Sequence, residues 1–234
     1  MNYLASRSTL GAILLAWLLA SACLGAEPPR VVSFATADGG TVFADAYGEG
    51  GRDGVVLAHG AAFDKESWRR LAEQLAAKGL RVLAIDFRGW SKSTAGSAKD
   101  GLFEDVLAAV RYLRRGGVAR VSVVGASMGG GAAAEAAARA APGEIDRLVL
   151  LSPAPVGAPE RVSGDKLVVA SEHEAALERI KALYQKLPEP KRLVLLPGTA
   201  HAQHIFDTDQ SGRLTATVIE FLSGPPATPP SPAR

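Results

Sequence analysis

Six short, almost wholly apolar runs, most of them separated by segments of helical spacing, constrain this chain more than any other feature. They are Val55–His59, Arg81–Ile85, Val121–Val124, Leu148–Leu151, Leu167–Ala170 and Leu193–Leu196. A strand that is apolar at nearly every position is buried on both faces. The segments between the runs read as amphipathic helices. Glu66–Lys78 places Trp68, Leu71 and Leu75 on one side, and Leu102–Arg114 does the same with Phe103, Val106, Val110 and Leu113. Met128–Ala141 is Ala-rich, and Ala175–Leu187 and Leu214–Leu222 complete the set. Ahead of them, Val31–Phe34 and Val42–Tyr47 flank the turn Asp38-Gly39-Gly40 and read as an antiparallel pair. The expectation is an α/β fold: a mostly parallel central sheet of about eight strands with helices on both faces.

Composition narrows the function classes. At 234 residues and 47% apolar, the chain has material for one domain with a sizeable core. Lys and Arg number 26 against 24 Asp and Glu, a net charge of +2. So balanced a chain lacks the field that grips phosphate backbones, and nucleic acid is not an expected partner. One cysteine makes neither an intramolecular disulfide nor a Cys-based zinc site.

The two ends differ from the body. Residues 1–26 carry Arg7, a short apolar stretch Leu10–Ala20 and then small residues, the layout of a secretory signal peptide. Ala20-Ser21-Ala22 and the stretch ending at Ala26 both offer small residues to a signal peptidase, the second leaving Glu27 as the mature start. Alternatively Leu19-Ala20-Ser21-Ala22-Cys23 resembles a bacterial lipobox, in which Cys23 is lipidated. Either way the domain 27–223 is expected to be exported, periplasmic or secreted, with a membrane tie only through Cys23. The tail 224–234, GPPATPPSPAR, is Pro-rich and expected to be disordered or extended.

In open parallel sheets, reactive groups gather at the carboxyl ends of the strands. Val121–Val124 is followed by Gly125-Ala126-Ser127-Met128-Gly129, a G-x-S-x-G. A strand that reverses at once into a helix strains its middle residue, and glycines on either side relieve the crowding. The turn lifts the Ser127 hydroxyl clear of the sheet, and the helix N-terminus favours negative charge developing beside it. Gly125, Gly129 and Gly131 also fit a dinucleotide-binding spacing. That motif belongs to the first strand of its fold, and no Y-x-x-x-K follows, so a short-chain-dehydrogenase reading is disfavoured.

With His59-Gly60 after the run at 55 and Asp86-Phe87-Arg88-Gly89 after the run at 81, the sequence resembles the α/β-hydrolase family across nearly all of the mature domain. It is most similar to the small, capless, dienelactone-hydrolase-like esterases. The resemblance implies an oxyanion hole made by the N–H groups of Ala61 and Met128. It implies a base after the last strand, where His201 stands, with His204 as runner-up. It implies an acid after Leu167–Ala170, where Ala170-Ser171-Glu172-His173-Glu174 puts Glu174 in register and leaves Glu172 as the alternative. The order Ser127, Glu174, His201 is the one the fold requires. A metal pair at His201 and His204 would need a third ligand that the sequence does not supply. No cofactor is expected.

Only residues 152–166 separate Leu151 from Leu167, too little for the helical cap that many relatives insert there. The site should therefore be open. Phe63, Trp90, Val156 and Phe206 are candidates to line an acyl pocket. The resulting expectation is an exported serine hydrolase acting on carboxylic esters or related acyl bonds of small molecules. A ligand-binding protein on a hydrolase scaffold is the alternative.

Overall fold

The computed structural model describes residues 28–224. The expected leader, Cys23 and nearly all of the Pro-rich tail lie outside them. No helix among the described residues is long and apolar enough to cross a membrane.

Eight strands form one sheet: β1 Arg30–Ala35, β2 Thr41–Tyr47, β3 Asp53–Ala58, β4 Arg81–Asp86, β5 Arg120–Ala126, β6 Arg147–Leu151, β7 Asp165–Ser171 and β8 Lys191–Leu196. Their order is β1-β2-β4-β3-β5-β6-β7-β8. β1 pairs antiparallel with β2, and β2 with β4; every later pair is parallel. Among the described residues, five α-helices cover the faces: α1 Arg69–Ala77, α2 Leu102–Arg115, α3 Met128–Arg139, α4 Leu177–Lys186 and α5 Ser211–Ser223.

Alternate side chains of each strand face opposite layers. Val56 and Ala58 of β3 pack with Val106 and Val110 of α2 and Ala133 of α3, and α4 adds Ile180 to this side. Val55 and Leu57 pack with Leu71 and Leu75 of α1 and Leu214 and Val218 of α5. Each fully buried Val or Leu contributes about 1.5–3 kcal/mol, so both layers are needed to hold the sheet.

The glycines of α3 follow from how closely that helix approaches the sheet. A Cβ on Gly129 would lie 2.3 Å from the Ala58 carbonyl oxygen, and one on Gly125 would lie 2.4 Å from that of Gly129. The glycines thus admit backbone against backbone. They do not merely keep two side chains from meeting.

Two helices start later than their periodicity predicts, each for a local reason. Residues Lys65–Trp68 form a 3₁₀ turn ahead of α1, capped by the Asp64 carboxylate, which accepts from the N–H groups of Glu66 and Ser67. Lys65 is anchored there by Asp86, at 3.3 Å. Before α4, a turn in which Glu174 N–H donates to Ser171 O and Leu177 N–H to Glu174 O replaces the expected first helical residues. Between β6 and β7, residues 152–164 carry the short 3₁₀ turn Pro159–Arg161 and no cap.

After β3 the chain crosses to β4 on one side, and after β4 it crosses back to β5 on the other. The carboxyl ends of β3 and β5 therefore border the crevice in which open α/β sheets bind their ligands.

Candidate active site

Ser127 joins β5 to α3 with φ +48 and ψ −111. A non-glycine residue held there is strained, by about 1–3 kcal/mol, and persists only where its surroundings fix it. They do so through the backbone. Ser127 N–H donates to Leu151 O at 2.9 Å, and Ser127 O accepts from Gly131 N–H at 3.0 Å and Ala154 N–H at 2.8 Å.

His201 lies in the loop after β8. Its Nε2 is 2.9 Å from Ser127 Oγ, and its Nδ1 is 2.7 Å from Glu174 Oε2. The Glu174 side chain is 1% exposed and that of His201 39%. Oε1 of Glu174 has no hydrogen-bond partner among the described residues, so His201 is the group this carboxylate serves. Glu172, the alternative acid, is exposed. His204, the alternative base, turns away and packs on Phe63 with ring centroids 4.8 Å apart. Its backbone N–H donates to His201 O.

The backbone on both sides of His201 is clamped by buried serines. Ser171 Oγ donates to Ala200 O at 2.6 Å, and Ser152 Oγ accepts from Ala202 N–H at 3.1 Å. Ser152 and Ser171 are 0% and 1% exposed. Neither carries a motif signal. Ser171 is simply the last residue of β7, and Ser152 the residue that follows β6.

The His59-Gly60 loop lies against the nucleophile turn: a Cβ on Gly60 would sit 3.6 Å from Ala126 O. His59 is fully buried. Phe87 N–H donates to its Nε2 at 3.2 Å, which leaves Nδ1 to donate to Gly60 O at 2.9 Å. Burial pushes its pKa down, so the ring is neutral and shapes the loop. Gly60 N–H donates to Oε1 of buried Gln203 at 2.6 Å, a bond that sequence reasoning missed. The N–H groups of Ala61 and Met128 donate to no protein oxygen among the described residues, as an anion-binding pair requires.

The cleft beside Ser127 has a volume of about 320 Å³. Its apolar wall is Leu102, Phe103, Met128, Ala132, Ala154 and Pro155, with Asp100 and Glu135 at the polar side. None of the four side chains expected to line it does so. Trp90 packs on His59, Phe206 on Trp68 and Phe63 on His204. Val156 packs on the α2–α3 core. The wall comes instead from the start of α2, because the loop after β4 folds back through Arg88. This buried guanidinium binds Asp38 and Asp105, each at 2.8 Å, and ties the β1–β2 turn to α2.

Among the described residues, no group of three or more His, Cys, Asp or Glu is placed to hold a metal ion. The arrangement supplies a hydroxyl, an imidazole in contact with it, a buried carboxylate behind the imidazole, and free N–H groups at a helix start.

Comparison with known proteins places the fold. Residues 54–189 match the family model for the alpha/beta hydrolase fold. A non-heme chloroperoxidase of Streptomyces lividans is 33% identical over 157 residues, covering 64% of this chain and 55% of that protein. A 2-hydroxy-6-oxononadienedioate/2-hydroxy-6-oxononatrienedioate hydrolase of Cupriavidus pinatubonensis is 35% identical over 144 residues, covering 57% and 48%. The chain thus spans about half the length of the curated relatives it matches. Among solved structures, an esterase of Pyrococcus furiosus superposes with a TM-score of 0.70 at 19% identity, covering 83% of this chain and 91% of that one. The enol-lactonase of Burkholderia xenovorans gives 0.68 at 21% identity, covering 82% and 100%. At these identities the structural likeness is one of fold. With its G-x-S-x-G turn at the carboxyl edge of an eight-stranded sheet and a family match over more than half its length, the chain belongs to the alpha/beta hydrolase fold family.

Proposed function

We propose that this protein is an exported serine hydrolase that cleaves carboxylic esters, or closely related acyl bonds, of small molecules. The observation that carries the reading is the continuous contact Glu174–His201–Ser127, at 2.7 and 2.9 Å, around a serine strained at the head of a helix. In this reading Ser127 Oγ attacks the acyl carbon while His201 Nε2 takes its proton. The carbonyl oxygen becomes an oxyanion held by the N–H groups of Ala61 and Met128. Collapse breaks the ester C–O bond, and the leaving alkoxide takes the proton back from Nε2. Water then attacks the acyl-enzyme, again losing its proton to His201, and the acid departs as Ser127 recovers its proton. Glu174 holds Nδ1–H and stabilises the imidazolium formed in each half. The uncapped, largely apolar cleft suits short, soluble acyl groups.

Intact-mass analysis after exposure to a fluorophosphonate tests this directly. One phosphonyl adduct, absent from Ser127→Ala, is expected, together with loss of ester turnover in Ser127→Ala and His201→Ala. A folded wild-type protein that takes no adduct refutes the mechanism and returns weight to a ligand-binding role. Export is tested by sequencing the N-terminus of the protein recovered from an expressing bacterium. A start at lipidated Cys23 or at Glu27 is expected, whereas a start at Met1 refutes export.

A further inference from the structure

We propose that Gln203 is a positioning residue for the oxyanion loop, fixing the Ala61 N–H against Ser127; this rests on the ester-hydrolase reading above. Gln203 is 3% exposed, and both ends of its amide are used. Oε1 accepts from Gly60 N–H at 2.6 Å, and Nε2 donates to Ser67 Oγ at 2.9 Å. The Ser67 hydroxyl in turn donates to Asp64 O. One side chain thus ties together residue 60 and the 64–67 turn, the two ends of the loop that carries Ala61.

The loop needs such a tie. Gly60 has no side chain to anchor it, and a Cβ there would meet only ordinary contacts, so sterics alone leave its peptide room to swing. The next peptide carries the Ala61 N–H. That peptide's carbonyl, Gly60 O, accepts from His59 Nδ1 at 2.9 Å and from Phe63 N–H at 3.0 Å, and Gln203 fixes the peptide before it, so these bonds together set the direction in which the oxyanion donor points.

Gln203 also links the loop to the base. It sits in the 3₁₀ turn Ala202–Asp207 that follows His201, with Ala200 and Ala202 clamped by Ser171 and Ser152. The base and the oxyanion loop consequently share one hydrogen-bonded frame. A role confined to stability would lower the melting temperature and leave turnover per active site unchanged. A positioning role acts on the transition state, where the oxyanion exists, more than on substrate binding.

The test uses Gln203→Met, which keeps the length and removes both polar ends, and Ser67→Ala, which frees only the far end. Active sites are titrated with fluorophosphonate. Then kcat and KM are measured for p-nitrophenyl acetate, with the inhibition constant of a trifluoromethyl ketone that forms a tetrahedral adduct. Losing an oxyanion donor outright costs about 10²–10³ in rate. Because the donor here is loosened and not removed, Gln203→Met is expected to lose about 10–100-fold in kcat, with KM within about twofold and the ketone weakened in parallel. Ser67→Ala is expected to move the same two quantities a few-fold. The proposal is overturned if Gln203→Met keeps kcat within about twofold, or if KM rises while kcat and ketone affinity hold. Should Gln203→Met not fold, Ser67→Ala decides by the same criterion. A wild-type protein with no adduct and no turnover would overturn the hydrolase reading itself, an outcome distinct from any in which only the variants differ.

Discussion

Replacing Glu174 by Gln removes the charge behind His201 while nearly keeping the shape. The carboxylate touches Nδ1 at 2.7 Å, and its side chain is 1% exposed. Once His201 takes a proton, unit charges about 4 Å apart attract by about 4 kcal/mol at the effective dielectric of a partly buried pair. The imidazole side is 39% exposed, so solvent screening reduces this to about 2–3 kcal/mol. At about 1.4 kcal/mol per decade, kcat should fall by roughly 30–150-fold from charge alone. An amide NH₂ turned toward Nδ1 would favour the wrong tautomer and add to the loss. The assay is p-nitrophenyl acetate hydrolysis per fluorophosphonate-titrated site, with wild type and variant compared on the pH-independent plateau of each. Glu172→Gln is the paired control. Glu172 is exposed and is tied to the fold by its backbone N–H, which donates to Leu196 O, so loss of its carboxylate should leave kcat within about twofold. If Glu174→Gln keeps kcat within threefold, or Glu172→Gln matches its loss, the assignment of the acid is refuted.

Three further outcomes are expected. Gly129→Ala forces a methyl to 2.3 Å from Ala58 O and 2.6 Å from His59 O, both backbone atoms that cannot step aside. It should cost about 1–3 kcal/mol or more, lowering Tm by roughly 2–4 °C per kcal/mol in a circular-dichroism melt; an unchanged Tm contradicts the close approach. The Arg88 guanidinium holds the Asp38 carboxyl well below the usual carboxylate range. Its stabilisation is therefore complete above about pH 4 and lost as pH falls toward the folded-state pKa. Asp38→Asn should flatten the acid limb of stability against pH in urea titrations, and an unchanged limb counts against the pair. Phe103→Ala opens the wall beside Ser127 and removes the ring beneath Arg139, now 4.3 Å from its centroid. KM for p-nitrophenyl butyrate should rise several-fold with kcat held, and a fall in kcat alone would place Phe103 outside the acyl site.

The middle of the sheet, β3 to β7, was legible because burial on both faces leaves a strand few alternatives, whereas β8 at the edge proves only partly buried. All eight predicted runs lie within observed strands or overrun them by one residue, as His59 does beyond Ala58. The serine turn was legible for a steric reason: close backbone approach at Gly125 and Gly129 demands glycine, and glycine can be read from a sequence. The acid was harder, since Glu172 and Glu174 look alike in a line of residues. Only the turn before α4 decides that one is buried and the other exposed. The cleft was not legible. Its wall depends on how the β4–α2 loop folds over Arg88, and aromatic residues near the site found partners in each other. Gln203 was missed because its partners, Gly60 and Ser67, lie more than a hundred residues upstream.

The strained residues show why the site needs more than its motif. Four described non-glycine residues have positive φ: Ser91, Ser127, Ser152 and Ala202. Three of them surround the same point. Ser127 bears the hydroxyl, Ser152 follows β6 and accepts from Ala202 N–H, and Ala202 follows His201. The flanking glycines announce the strain at Ser127, but Ser152 and Ala202 give no sign in the sequence that they will be held there, since their conformation is imposed from outside. The restraints that impose it run between strand ends: Ser127 N–H to Leu151 O, Ser152 N–H to Val169 O, Ala202 N–H to Ser152 Oγ. The first two tie β5 to β6 and β6 to β7, and the third reaches past β7 from the loop after β8 to the end of β6. The contact between His201 and Ser127 is therefore a property of the assembled sheet edge. Stable packing of β5, β6 and β7 must come first, and the geometry that this proposed chemistry needs follows from it.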